Sequence, residues 1–545
     1  MAIPDHLEIK LSRDGMTWET VFYGSSADTP EKPAFHCEFT PCKAKQIWII
    51  GTQFKRVENW HFSFSVASVE IFNKSGRNLA LASLGTGVTV SSTQHSFGQT
   101  REEHHRLWPL FSDLGLKWIR IGYHDDPVNW HWVEKVKGRL EVDAEADAAV
   151  THAVENGVDV VLSLGFGNRL YTQEDPVRKL PQLWEWYYEN PAPPTTPEAL
   201  EGWANYVRFM CRHFKDRVKV FEVWNEWNCD LYWGGVTSVA DYLAVARVAI
   251  PIIREECPTA KVMLGSVAGF CHGMASWTAE KLAEEVRGAS LPSLLLAATR
   301  ELAGDVDIIG WHPFYQTDPN SSGALSYRAD VQAFKAWAAE QGFKGECACT
   351  EYNWGAGYPV PAEPYWWGKC VCSEIEKSKY VARLSTLHTA LNMGSFFCEV
   401  WANNAYPLDL GLMRRTFFSS PASFFQPQAA YYVMRNLSTA LDGLRPDDEF
   451  FIRVEGVHEA VEVCGLSRPG EKVVALWLTG RAADECAGLP ARITIEGLFK
   501  SVSGYDCMNG VTQALQSSHT NGVTVIDGLL VKDYPILLRL SVCHG

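Results

Sequence analysis

The sequence predicts an α/β protein, a (β/α)8 barrel of the TIM type with β-sandwich regions flanking it at both ends. Three observations predict it. Between residues 84 and 441 short apolar runs alternate with helical stretches, the signature of a parallel sheet whose strands are joined by helices. The strand candidates there number eight, which closes such a barrel. Outside that span, in 1–83 and 442–545, the chain turns to short strands separated by turn residues.

In the N-terminal region three runs read as strands: Leu7–Leu11, Gln46–Ile50 and Val69–Phe72. The first and third alternate apolar with polar, as a half-buried strand does, and the second is nearly all apolar, as a strand buried on both faces would be. Asp14-Gly15 and Ser75-Gly76 supply turns. The segments from Ile9 to Trp18 and from Gly76 to Leu81 resemble parts of a discoidin-type sandwich. In the barrel region a first strand is expected within Thr86–Ser92. It is followed by Lys117–Ile121, Val158–Leu162, Val220–Trp224, Lys261–Leu264, Val306–Ile309, Glu346–Cys349 and Phe396–Val400. Among the helices, Thr196 caps a segment opening with Pro197 and Glu198. Its apolar positions Leu200, Trp203, Val207, Met210 and Phe214 keep helical spacing. Residues 238–256 and 373–392 read similarly, with a kink expected at Pro251. The C-terminal strands are Phe450–Val454, Val473–Leu478, Ala491–Ile495 and Ile536–Leu540, with a turn at Asn509-Gly510.

Composition narrows the function. The chain has 545 residues, enough for two or three domains. A net charge of −15 argues against a nucleic-acid partner, because phosphate binding needs clustered Lys and Arg. The 15 Cys are odd in number and show no paired zinc-site spacing, so they read as buried free thiols of a reducing compartment. Met1–Lys10 has neither the basic nor the apolar region of a signal peptide, and no apolar run is long enough to span a bilayer. A cytoplasmic protein without a membrane partner is the expectation. No G-x-S-x-G elbow is present, which disfavours an α/β-hydrolase.

Catalytic groups of a barrel stand at the C-terminal ends of its strands. Two carboxylates meet that test. Glu226 ends the fourth strand, in Val223-Trp224-Asn225-Glu226-Trp227-Asn228, and Glu351 ends the seventh, in Cys349-Thr350-Glu351-Tyr352-Asn353. Cleavage of a glycosidic bond uses such a pair: one carboxyl protonates the leaving oxygen while the other attacks the anomeric carbon or activates water. A lone strand-end Glu is as readily explained by an ion pair with a barrel Arg. Two of them, on strands four and seven, weaken that explanation.

Asn-Glu on strand four with Glu on strand seven resembles the glycoside hydrolase clan A superfamily. Within it the chain is most similar to family 39, of β-xylosidases and α-L-iduronidases. The similar stretch runs from Ser96 to Trp401 and includes Asp113–Arg120, Trp132–Lys135 and Asn156–Leu162. The resemblance implies that Glu226 is the acid/base and Glu351 the nucleophile. It implies that Asn225 bonds the sugar 2-hydroxyl and that Arg120 pairs with the nucleophile. His312 corresponds to a strand-six His, and Trp401 to a sugar platform on strand eight, with barrel-end packing as their plainer reading. Two departures stand out. The clan commonly has Pro where this chain has Trp227, and the His-x-Tyr pattern of strand six places Phe314 where Tyr is expected, with Tyr315 one step on.

Aromatic residues crowd two loops: Trp184, Trp186, Tyr187 and Tyr188 after strand three, and Trp354, Tyr358, Tyr365, Trp366 and Trp367 after strand seven. Flat rings stack on the apolar faces of sugars, a role expected for Trp354 and Trp401. His124, in Tyr123-His124-Asp125-Asp126, is expected to touch substrate. The expectation is a retaining glycosidase without metal or cofactor. It is set against a binding protein that keeps the barrel without turnover, and against a metal-dependent hydrolase using His124 and His312.

Overall fold

Alternation along Leu7–Leu11 places Ile9 and Leu11 on one face, and both are buried. In the computed structural model this segment is strand β1 (His6–Ser12), lying between β2 (Glu19–Ser25) and β3 (Gln46–Thr52) in an antiparallel sheet. Two short strands, β4 (Arg56–Val57) and β5 (His61–Phe62), form a separate ladder. These strands belong to a unit of residues 1–93 with 180–183; residues 94–179 and 184–545 form the other. The structure describes residues 6–13, 17–25, 46–52, 56–57, 61–62, 101–123, 126–172, 192–228, 238–288, 290, 292–313, 322–352, 354, 372–397, 411–416, 424–449 and 451–542. The strands expected at Val69–Phe72 and Thr86–Ser92 lie outside them.

The larger unit carries the parallel sheet. Its seven described strands are β6 (Trp118–Ile121), β7 (Asp159–Leu164), β8 (Val220–Asn225), β9 (Lys261–Ala268), β10 (Ile308–His312), β11 (Glu346–Tyr352) and β12 (Met393–Phe397). They pair in chain order, each parallel to the next. This is the TIM-barrel arrangement. The eighth expected strand, Phe396–Val400, begins earlier than expected, at Met393, three residues after the preceding helix ends at Ala390. Asn392 makes the reversal with a left-handed φ of 49°.

Helices cover the outside. Pro197–His213 starts as expected, with Thr196 Oγ1 accepting the Ala199 amide at 3.2 Å. Trp203, Val207, Met210 and Phe214 are fully buried against the sheet, and Leu200 is half-buried. Each such burial is worth about 1.5–3 kcal/mol, so packing rather than intrinsic propensity holds this helix. Val239–Glu256 runs unbroken through Pro251, and Glu374–Ala390 begins with a capping box between Ser373 and Glu376.

Inside the barrel, Val161, Val220, Met263, Ile308 and Ala348 form an apolar layer. Two residues on, the same face of each strand reads Ser163, Glu222, Gly310 and Thr350. On β9 the register against β10 slips by one residue between Leu264 and Val267, and the inward hydroxyl there is Ser266. The floor of the barrel is therefore apolar and its next layer polar.

After β13 (Met413–Thr416), β14 (Phe424–Pro427) and the helix Ala429–Ala440, the chain builds two antiparallel sheets. Their strands are β15 (Arg445–Pro446), β16 (Ile452–Glu455), β17 (Val461–Arg468), β18 (Glu471–Leu478) and β19 (Leu489–Glu496). They continue with β20 (Phe499–Asp506), β21 (Val511–Leu515), β22 (Ser518–Thr520), β23 (Val523–Val531) and β24 (Ile536–Val542). One sheet has the order β15-β17-β18-β24-β20-β21 and the other β16-β19-β23-β22. Val474, Leu476, Leu538 and Leu540 of the first pack on Ile493, Ile495, Ile526 and Val531 of the second, a β-sandwich as expected. All nine described Cys are free thiols, and eight are buried. Among the described residues no helix is long and apolar enough to cross a membrane.

Candidate active site

Strict alternation along β8 would turn Trp224 inward and Asn225 outward. Trp224 instead has a left-handed φ of 74°, and its ring is buried outside the barrel against Phe166 and Trp203. Asn225 turns into the barrel, and Glu226, with φ 44°, follows at the strand end. Non-glycine residues seldom hold this conformation, so the surroundings must fix it. They do. The Glu226 amide donates to Ser266 O at 2.7 Å. The Tyr242 hydroxyl donates to Val223 O at 3.1 Å and accepts from the Gly265 amide at 2.7 Å. Trp227 stacks on Tyr242 with centroids 4.0 Å apart, and its Nε1 donates to Gly265 O. Gly265 is required: a Cβ there would lie 2.2 Å from Val223 O.

Arg120 sits at the centre of the polar layer. Its Nε donates to Glu222 Oε2 at 2.8 Å, Nη1 to Glu351 Oε1 at 2.6 Å and Nη2 to Asn225 Oδ1 at 2.6 Å. The guanidinium lies over the Tyr123 ring, 4.7 Å from its centroid, and Tyr123 O accepts from Asn225 Nδ2 at 3.0 Å. On the opposite side, His312 Nδ1 meets Glu226 Oε1 at 2.7 Å and Nε2 meets Thr350 Oγ1 at 2.9 Å. One carboxylate oxygen each from Glu226 and Glu351 and one His312 nitrogen lie within 4.8 Å of one another. These atoms are close enough to share a cation. Arg120, however, already supplies a positive charge to Glu351, and both His312 nitrogens have hydrogen-bond partners within the cluster, so the arrangement fits acid–base chemistry.

Burial governs the charges. It pushes Glu226 up to about 7, with Arg120 opposing and Glu222 reinforcing the rise. Burial also raises Glu351, and the charge and hydrogen bond of Arg120 oppose that rise without reversing it. His312 is driven down to about 4 by burial, so its ring is neutral near pH 7. Arg120 is held protonated: burial works against it, and Glu222 and Glu351 outweigh that. The two carboxyls therefore differ in their partners, Glu226 facing a neutral imidazole and Glu351 a cation.

Of the residues singled out in the sequence, Arg120, Asn225, Glu226, His312 and Glu351 meet in this cluster. Trp354 is nearby in sequence but buried, tilted against Tyr380 at 5.5 Å and edge-on to Tyr352. His124, Tyr315 and Trp401 lie outside the described residues, as do the other loop aromatics. Three members of the cluster were not anticipated: Glu222, Ser266 and Thr350. Glu222 did leave a signal, a charge inside the apolar run Val220–Trp224.

No protein-family model matches the chain, and no curated protein matches it in sequence. Solved structures do match it in fold. A family 39 glycoside hydrolase from the gut symbiont Bacteroides cellulosilyticus WH2 aligns over 98% of this chain and 94% of its own, with a TM-score of 0.55 and 16% identity. The catalytic domain of a glycoside hydrolase family 30 xylanase C from Talaromyces cellulolyticus aligns over 82% and 93%, with a TM-score of 0.48 and 13% identity. A monomeric β-xylosidase from Caulobacter crescentus CB15 aligns over 81% and 93%, at 0.46 and 15%. The first likeness establishes the fold, a TIM barrel with accompanying β-sandwich.

Proposed function

We propose that the chain is a retaining glycoside hydrolase acting by double displacement, with Glu351 as nucleophile and Glu226 as acid/base. The observation that carries this reading is the buried carboxyl pair, with oxygens of the two groups within 4.8 Å. Retaining enzymes hold their carboxyls about 5–5.5 Å apart; inverting ones need roughly 6.5–9.5 Å to admit a water. The asymmetry of partners supports the division of roles. Arg120 favours the anion at Glu351, which must attack, and burial keeps Glu226 protonated near neutrality, as an acid must be. Fold alone would not decide this, since a TIM barrel hosts many chemistries.

In this reading Glu351 attacks the anomeric carbon while Glu226 protonates the departing oxygen. Glu226 then takes a proton from the water that releases the sugar. Asn225, already oriented by Arg120 and Tyr123 O, bonds the sugar 2-hydroxyl. His124, Tyr315, Trp354 and Trp401 are proposed substrate contacts, and no cofactor takes part. Residues 84–441 form the catalytic domain, with 1–83 and 442–545 accessory to it. The resemblance to family 39 and the aromatic loops favour exo action on a β-D-glycoside or an α-L-arabinofuranoside.

A panel of aryl xyloside, glucoside, galactoside, mannoside and arabinofuranoside, given to wild type and to Glu351→Ala, tests the proposal. Release from one member, lost in the variant and unaffected by a chelator, is expected. A folded wild type that cleaves none of them would count against it and favour a binding role.

A further inference from the structure

The hydrogen bonds leading to His312 all run one way. Glu222 accepts at both oxygens: Oε2 from Arg120 Nε at 2.8 Å, and Oε1 from the Ser266 amide at 3.1 Å and the Ser266 hydroxyl at 2.7 Å. The Ser266 proton is therefore committed to Glu222. Its oxygen can only accept from Thr350, whose hydroxyl is 2.6 Å away. With that proton committed too, Thr350 Oγ1 accepts from His312 Nε2 at 2.9 Å. A neutral imidazole with its proton on Nε2 presents a lone pair at Nδ1. Nδ1 lies 2.7 Å from Glu226 Oε1, a contact that two acceptors do not share. The proton between them belongs to Glu226.

We infer that Ser266 and Thr350 are positioning residues that, by fixing the tautomer of His312, hold Glu226 in its acid form. The consequence for hydrolysis rests on the reading of Glu226 as acid/base; the proton order does not. The barrel backbone is shaped around these two hydroxyls. The slipped register of β9 turns Ser266 inward. Opposite it, Gly310 leaves room: a Cβ there would lie 2.3 Å from Ser266 Oγ and 3.4 Å from Thr350 Oγ1. Ser266, Thr350 and His312 are all buried, so water does not compete along the chain. The charged groups facing the ring agree with the order. Glu351 Oε1, 3.7 Å from Nε2, favours a proton there, and Arg120, bound to Glu222 and Glu351, disfavours a second one on the ring.

The test is the protonation of His312 in the full chain, read by nitrogen NMR on protein labelled with 15N-histidine. The resonance absent from His312→Gln identifies the ring. Expected is a proton on Nε2 alone near neutral pH, moving toward Nδ1 in Thr350→Val and in Ser266→Ala and restored in Thr350→Ser. A wild-type ring protonated on Nδ1, singly or doubly, would overturn the inference, as would a tautomer unchanged in both disrupting variants. For any glycoside cleaved by wild type, Thr350→Val should also bring the alkaline limb of kcat/KM down by about one pH unit, a tenfold change in proton affinity. A loss of rate with the limb unmoved would mean a merely structural role. If no glycoside is cleaved, the hydrolase reading fails and the NMR result still decides the proton order.

Discussion

Arg120 holds three acceptors at once, Glu222 and Asn225 on β8 and Glu351 on β11, one from each nitrogen of its planar guanidinium, a spread that the compact ammonium of Lys does not match. Replacing it by Met strands two buried carboxylates. Removing one partner of a buried pair costs about 3–5 kcal/mol, so Arg120→Met should lose at least that in denaturant unfolding. Arg120→Lys keeps the charge but not the fork, and kcat/KM should fall by about 10²–10³-fold, the loss typical of one transition-state donor. A Lys variant of wild-type activity would contradict the central role of the guanidinium. Glu226 makes the pH prediction. Its pKa is raised to about 7, so the acid form is present below that pH and lost above it, and kcat/KM on a poor leaving group should fall as pH rises through 7. In Glu226→Gln that limb should vanish, and substrates whose leaving group needs no proton should suffer least. At this scale the sequence was informative where chemistry sits at strand ends: Glu226 and Glu351 both follow apolar runs, whereas Arg120 and Asn225 were expected only through the resemblance to other sequences. Ser266 was hidden because the strand candidate stopped at Leu264, and the irregularity that turns Ser266 inward leaves no periodic trace.

The element that presents Glu226 is an irregular β8 end clamped by its neighbours. Periodicity located the strand but could not foresee that Trp224 would leave the barrel face. That reversal depends on long-range partners, namely Phe166, Trp203 and the Tyr242 hydroxyl. Trp227 contributes by stacking on Tyr242 and bonding Gly265 O. The start of β12 was missed for a related reason. A tight turn at Asn392 brings the chain from helix to strand within three residues, and no run of apolar side chains marks it. Tyr242→Phe isolates the clamp. It removes a hydroxyl that satisfies both Val223 O and the Gly265 amide, leaving buried backbone groups unpaired at about 1–3 kcal/mol. Because the loosened groups adjoin Glu226, activity should fall more than in Tyr206→Phe, which removes a buried hydroxyl that bonds Val128 O in the same barrel. Equal losses of activity in the two variants would show that the clamp has no special bearing on Glu226.

Across the larger unit, the helix Glu374–Ala390 joins barrel to sandwich. It is buried along most of its length, and it carries cations where a core helix would carry apolar residues. Lys379 donates to Asp533 Oδ2 at 3.1 Å and to the Ala483 carbonyl. Arg383 donates to Asp533 O and Gly480 O, each at 2.8 Å. The Ala483 amide completes the knot on Asp533 Oδ2 at 2.9 Å. Beside it, Ala390 and Leu444 pack on Leu466, Val473 and Leu537 of the six-stranded sheet. Barrel and sandwich therefore share one interface of buried charge and apolar contact, and neither side satisfies it alone. They should unfold together: hydrogen exchange of amides in β10 and β11 and in β18 and β24 should report the same opening free energy. Asp533→Ala leaves Lys379 buried without its carboxylate, a change of about 3–5 kcal/mol, and should lower protection in all four strands alike. A variant whose loss of protection stopped at β18 and β24 would make the sandwich an independently folding attachment. Equal loss in β10 and β11 would make residues 442–545 part of what keeps Glu226 and Glu351 in place.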